Sequence, residues 1–359
     1  MMKILVYGAG VLGSIFAARL QKGGHDVSLL ARGQRLADLR EHGIVLVEDL
    51  TGEQQVEYVP LVEALNPNDA YDLVLVIMRK NQVAAVLPAL AANQYTPNVA
   101  FLGNNATGAD AYVAALGHDR VLMGFAGAGG GRDGYTIHHI RGTDSRPASL
   151  IIGELDGQST PRLEAIVTAF KQANFTVEVS PNIDAWLKAH AAFVSPIADA
   201  IALAGNDNYR LSRTRDGLVL MIRAVRETAD ALRTLQIPVT PRWLAAIIRL
   251  PEPILVPLVA RLMNTRYAEI GLSRHAKAAS DEMQTLAAEV RSLVLQAGIP
   301  TPNLDRLSRY LDTATPTMPE GSHGLGLHWK GLIWGLVMTL SIMCLPMLRQ
   351  FTSRRHKLA

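Results

Sequence analysis

The sequence predicts an α/β domain built on a mainly parallel sheet, followed by an all-helical domain. Three observations predict it. A glycine-rich turn, GAGVLG at residues 8–13, lies between a short apolar strand and a helix. Further buried apolar runs then alternate with helical stretches as far as Val179. Beyond Asn182 alanine, leucine, arginine and glutamate dominate, and apolar residues recur every three or four positions.

A length of 359 residues suits two domains of ordinary size and a tail. With 49% hydrophobic and 19% charged residues, most of the chain has enough apolar surface to fold. A net charge of +3, with basic residues spread through the sequence, gives no sign of a nucleic-acid face, and no nucleic-acid partner is expected. The single cysteine, Cys344, excludes an internal disulfide and any cysteine-based metal cluster. Met1 to Gly8 runs straight into a strand without an export segment, so a cytoplasmic main body is expected.

Lys3 to Tyr7 is the first strand, and Val11 to Gln21 has helical spacing, so the glycine turn sits where a Rossmann-type unit receives a dinucleotide. Gly8 allows the tight turn, Gly10 lets a pyrophosphate approach bare backbone, and Gly13 lets helix and sheet pack closely. The backbone of Ala9, Val11 and Leu12 completes the cradle, where unpaired N–H groups and a positive helix end favour phosphate. The next strand, Val27 to Ala31, ends in Arg32-Gly33-Gln34-Arg35, without the carboxylate that an NAD site would place against the ribose. Arg32, helped by Arg35, can instead bond a 2′-phosphate, so NADP(H) is the expected cofactor.

Strands are expected at 73–77, 99–102 and 121–125, with polar groups beyond their carboxyl ends. Arg79-Lys80-Asn81-Gln82 would attract an acidic substrate or the phosphate on the nicotinamide side. The amides of Asn104 and Asn105 could orient the nicotinamide ribose or the substrate; both loops could equally be ordinary turns. The glycine-rich stretch 127–131 lacks the setting of a phosphate loop and is read as a flexible crossing or hairpin. A short strand at 149–153, a helix at 160–172 and a strand at 175–179 close the first domain, residues 1–181.

The second domain, residues 182–312, has long helices expected at 184–203, 218–235 and 281–297, and a short one at 304–311. Lys188 enters an almost uncharged stretch, 189–193, where lost solvation would lower its pKa and make it a proton donor. The alternative is a lysine whose stem covers apolar surface while its ammonium reaches water. His190 is read as a partly buried helix residue rather than a proton relay. No histidine and carboxylate cluster has metal-ligand spacing, so no metal is expected. Trp243 to Met263 is apolar but interrupted by Arg249, Glu252 and prolines, which suits a hydrophobic insertion or a membrane-facing patch.

Residues 313–359 read as a Pro, Gly and Thr-rich linker and an apolar helix. The run 331–348 carries no charge and is just long enough to span a bilayer, with Arg354, Arg355 and Lys357 to hold its end at an anionic surface. It suits equally a helix buried on the second domain or in a homodimer interface.

Taken together, these residues resemble the ketopantoate reductase family. The resemblance rests on GAGVLG, an arginine after the second strand, a basic residue three before Gln82, the asparagine loop at Asn104, and Trp186-x-Lys188 at a helix start. A late helix ending in AGIPTP, with Glu282 near its beginning, adds to it, and the likeness spans roughly residues 3–312. It implies NADPH-dependent reduction of 2-dehydropantoate to pantoate, as in pantothenate biosynthesis. Lys188 would be general acid, Glu282 would bind substrate hydroxyls, Asn104 would hold cofactor and substrate, and Arg79 would take a place often held by lysine.

The chain departs from the family pattern at Ala192 and Pro196, where asparagines are usual, and at Ile270, where a serine is expected and Ser273 is the nearest hydroxyl. Three readings therefore stand together. The first is reduction of a small, ketopantoate-like 2-keto acid; the second is reduction of a larger or more apolar carbonyl substrate. The third is a membrane-associated NADPH-binding sensor without turnover.

Overall fold

A computed structural model describes residues 1–312 and 314–329. The strands of the first lobe are β1 (Lys3–Tyr7), β2 (Asp26–Leu30), β3 (Ile44–Glu48), β4 (Gln54–Glu57), β5 (Leu61–Val62) and β6 (Leu73–Val76). They continue as β7 (Val99–Leu102), β8 (Val121–Gly127), β9 (Gly130–Asp133), β10 (Thr136–His139), β11 (Ser149–Gly153) and β12 (Thr176–Val179). Between them run α1 (Val11–Lys22), α2 (Gly33–His42), α3 (Lys80–Val83), α4 (Leu87–Ala92), α5 (Asp110–Leu116) and α6 (Pro161–Gln172).

Eight strands form one sheet in the order β12-β11-β8-β7-β6-β1-β2-β5. Neighbours are parallel except β8 and β11. Chain order reverses direction at β1, which is flanked by β2 and β6, the point where open α/β sheets carry a binding crevice beyond the carboxyl ends of their strands. The central strands are buried on both faces, so their sequences are continuous apolar runs such as Leu73-Val74-Leu75-Val76. One side packs on Ile15, Phe16 and Phe170, the other on Leu90, Tyr112 and Leu187.

A second sheet, β4-β3-β10-β9, was not foreseen; it joins β3 in parallel to β10. The glycine-rich stretch 127–131 spans the end of β8 and the start of β9, and β9 pairs with β10 as a hairpin.

The second lobe comprises α7 (Ile183–Leu203), α8 (Asn208–Arg213), α9 (Arg215–Thr234), α10 (Arg242–Ile247), α11 (Glu252–Met263), α12 (Arg266–Ala268), α13 (Arg274–Ala278), α14 (Ser280–Ala297) and α15 (Pro302–Ser308). A π-helical turn, Glu269–Ser273, lies between α12 and α13. Asn182 starts α7 by accepting a hydrogen bond from the Ala185 amide at 2.9 Å. α7, α9 and α15 pack around Leu203, Leu218, Leu304 and Leu307.

The stretch expected to be a linker lies against this lobe. Asp216 accepts from the hydroxyl of Ser322 and the amides of Gly324 and Leu325 at 2.6, 2.8 and 2.9 Å. Farther on, Arg223 donates to the Gly326 carbonyl and the buried Glu252 accepts from the His328 amide. Side chains on α9 and α11 thus satisfy a backbone that glycines leave bare. The apolar run 331–348 lies outside the described residues, among which no helix is long and apolar enough to cross a membrane.

Candidate active site

The glycine turn has the geometry of a phosphate cradle. Gly8 has φ +123°, and a Cβ there would lie 2.3 Å from the Ile77 carbonyl oxygen; one on Gly13 would lie 1.8 Å from that of Gly8. A Cβ on Gly10 would meet nothing within 4 Å. Gly10 is exposed at the start of α1, where no side chain caps the helix and no acidic residue stands in the first turn. Ala9, Val11 and Leu12 are half-buried around it. Open space, N–H groups at an uncapped helix start and the positive helix end are the features that favour an anion.

Arg32 stands exposed at the start of α2, its guanidinium steered by the Glu63 carbonyl at 3.1 Å and the Tyr7 hydroxyl at 3.2 Å. Arg35, expected to help it, has another place. It is buried and donates to the Ala9 carbonyl, the Tyr135 carbonyl and the Ser14 hydroxyl, bracing the glycine turn from behind. Burial, with Arg132 nearby, lowers its pKa to about 10.

Across the crevice, α14 meets the loops after β6 and β7. Asn104 donates to Glu282 Oε1 at 3.1 Å, and the Lys80 amide points at the same oxygen at 3.4 Å. Both side chains are buried, and Asn104 Oδ1 has no partner. Arg79 is engaged by this helix rather than turned to a phosphate: it pairs with Asp281 at 2.9 Å and donates to the Ala278 carbonyl at 2.7 Å. One turn of loop thus reads two consecutive acids, Asp281 and Glu282.

Lys188 Nζ pairs with Asp184 Oδ2 at 2.5 Å, so the surroundings expected to be uncharged contain a carboxylate one turn back. The pair faces Gly108, where a Cβ would lie 3.2 Å from Asp184 Oδ1 and 3.9 Å from Lys188 Nζ. Asn104 and Glu282 are therefore joined directly, while Lys188 stands at the far end of the 104–108 loop. His190 is half-buried and stacks on Trp186, with ring centroids 5.1 Å apart.

Sequence reasoning named Lys80 only as one of the Arg79–Gln82 group and missed Tyr112 and Glu289. Lys80 Nζ lies 3.1 Å from the Thr107 hydroxyl, 3.2 Å from the Tyr112 hydroxyl and 3.6 Å from Glu289 Oε1. Burial pushes the Lys80 ammonium below the ordinary lysine value, with Glu289 pulling the other way, and burial pushes the Tyr112 phenol up. Glu289 Oε2 also accepts from the Ala106 amide at 2.9 Å, so a second-lobe carboxylate holds the loop that carries Asn104. The one available signal was spacing: Glu282 and Glu289 are seven apart and share a helical face. Lys80, Asn104 and Tyr112 help line a cavity of about 10 Å³, room for one water molecule.

Where the departures occur, apolar packing fills the space. Ala192 is buried in a cluster with Ala106, Ala189, Ala276, Met283 and Leu286. Pro196 is buried inside α7, and Ile270 is fully buried in the π-helical turn. Ser273, in that turn, is buried with an unpartnered hydroxyl, as is Ser195.

Residues 4–157 match the family model described as Ketopantoate reductase PanE/ApbA. An uncharacterized oxidoreductase, YkpB of Bacillus subtilis (strain 168), is 27% identical over 192 residues, 52% of this chain and 61% of that protein. The chain thus matches less than two thirds of that relative's length. The crystal structure of 2-dehydropantoate 2-reductase from Geobacter metallireducens GS-15 matches 87% of this chain and 99% of its own, at TM-score 0.69 and 18% identity. A ternary structure of D-mandelate dehydrogenase with NADH and anilino(oxo)acetate matches 86% of this chain and 97% of its own, at TM-score 0.67 and 18% identity. At these identities the two structures are alike in fold.

Proposed function

We propose, from the premise that this chain is a divergent member of the ketopantoate reductase family, that it is an NADPH-dependent reductase of a small 2-keto acid. The observation that carries this reading is the direct bond between Asn104 and Glu282 across the crevice, beyond the strand ends and on the same side as the open Gly10 cradle. The turn at Gly8, Gly10 and Gly13, with the backbone of Ala9, Val11 and Leu12, fits a pyrophosphate, and the exposed Arg32 fits a 2′-phosphate. When bound, the reduced nicotinamide supplies a hydride. Lys188 Nζ donates the proton to the carbonyl oxygen as it gains charge, and Asp184 keeps the ammonium aimed at the loop. Glu282 accepts from a substrate hydroxyl, and Asn104 turns its amide to cofactor and substrate. Arg79 keeps α14 against the first lobe and thereby sets the crevice width.

The test is NADPH absorbance in the presence of a panel of 2-keto acids that includes ketopantoate. Turnover of at least one is expected; no turnover of any, by a folded protein that binds NADPH, defeats the reading in favour of a sensor.

A second reading, a larger or more apolar carbonyl substrate, is favoured by the cluster around Ala192 and by the burial of Ile270. These positions offer methyl groups where a polar substrate would need hydrogen bonds, and the D-mandelate dehydrogenase of like fold holds anilino(oxo)acetate. Exclusive use of ketopantoate in the same panel defeats it.

A further inference from the structure

The second lobe carries an exposed face that the proposed reaction does not use. α10 and α11 present Trp243, Ile247, Ile254, Leu258 and Leu262 to solvent, with Trp243 63% and Leu258 and Leu262 each 50% exposed. Along α11 the last three are four residues apart and form one stripe, while Leu255, Val256 and Met263 on the opposite side enter the core. A contiguous apolar patch of this kind marks an interaction surface.

Charge narrows the kind of partner. Over residues 241–268 the exposed charges, Arg242, Arg249, Arg261 and Arg266, are all basic, with Arg266 paired to Glu269 and Asp49. The one acid in that stretch, Glu252, is buried beneath Arg223 and Arg226. Glu252 also accepts from the His328 amide at 2.8 Å at the start of α11, and Trp329, next in sequence, is 57% exposed. From that point the sequence runs through Lys330 into the uncharged stretch 331–348 and on to Arg349, Arg354, Arg355 and Lys357, with no acidic residue after Glu320. The face and the sequence that follows Trp329 are both apolar and flanked by basic residues.

A second copy docked face to face would set the same arginines against one another, and the chain's own basic tail laid along α11 would do likewise. An anionic, apolar partner satisfies both features. We propose that the face formed by α10 and α11 docks on anionic phospholipid bilayers. The stripe Ile254, Leu258, Leu262 and the ring of Trp243 enter the headgroup–acyl boundary, and Arg242, Arg249 and Arg261 lie at the phosphates. The proposal is independent of the reductase reading.

The test is sedimentation of the full chain with phosphatidylcholine vesicles, with and without phosphatidylglycerol. Binding is expected with the anionic vesicles and should weaken with salt. Leu258→Glu combined with Leu262→Glu in the full chain should weaken partition by at least about tenfold with an unchanged unfolding temperature. Should that variant misfold, Arg249→Gln with Arg261→Gln leaves the stripe intact and should cost about tenfold on anionic vesicles only. Failure of the unsubstituted chain to sediment, or equal sedimentation of it and the variants, overturns the proposal. So does a dimer in light scattering that the leucine variant breaks, which would give the face to a second copy.

Discussion

Asn104 Nδ2 and Glu282 Oε1 stand 3.1 Å apart, one on the loop after β7 and the other on the first turn of α14, and their bond closes the crevice between the lobes. Asn104 Oδ1, on the same amide, is buried without a partner. A buried amide half satisfied is costly unless a ligand or water completes it. Glu282→Gln keeps the size of the side chain and removes the charge. It should raise the KM for the keto acid about 10- to 100-fold, the worth of a charge-assisted hydrogen bond, while NADPH affinity measured by fluorescence stays within about twofold. An unchanged KM would remove Glu282 from the site.

On the proposed reading Lys188 bears on turnover rather than binding. Lys188→Ala should lower kcat by about 10²- to 10⁴-fold, the usual contribution of a positioned proton donor, and leave the NADPH dissociation constant in place. Stopped-flow hydride transfer checks both numbers. Wild-type turnover in the variant would mean that another group, with the half-buried Lys80 the first candidate, supplies the proton.

On the proposed reading Arg32 selects between the two nicotinamide cofactors. Arg32→Ala should weaken NADPH about 10- to 100-fold and leave NADH almost untouched, because the guanidinium is exposed for a 2′-phosphate and lost charge-assisted bonds are of that size. Calorimetry with both coenzymes is the measurement. Equal losses for both would make Arg32 a structural residue of the turn.

Asp199 predicts a pH dependence of stability. It is buried on α7, where its Oδ1 has no partner and burial raises its pKa from 3.8 to about 7. The folded state then keeps the proton that the unfolded state has already released. Stability from this group is complete below about pH 4, falls as pH rises toward 7 and is level above it, a loss of about 4 kcal/mol at most. Asp199→Asn should abolish that slope in thermal unfolding followed from pH 4 to 8, and parallel curves for the two proteins would sink the assignment.

Some of these residues could be found without coordinates and others could not. The glycine turn and the strand before Arg32 were legible because both are local patterns of a few residues. The Lys188–Asp184 pair is also a local pattern, its members one helical turn apart. Arg35 and Arg32 look alike in sequence, and only the position of Ser14 and Tyr135 buries the first and leaves the second exposed. Glu289 and Lys80 meet through the packing of α14 against α3, a contact between residues more than two hundred positions apart that no periodicity encodes.

By itself the amino-acid sequence determined the α/β and helical halves, the glycine turn between β1 and α1 and the long amphipathic helices, because hydrophobic period, glycine and capping act over short stretches of chain. Tertiary structure alone decided which polar groups meet across the crevice, the pairing of β3 with β10, and the docking of 314–329 on α9 and α11. Those depend on which distant surfaces come together to satisfy buried donors, acceptors and charges, and that is settled only when the whole chain packs.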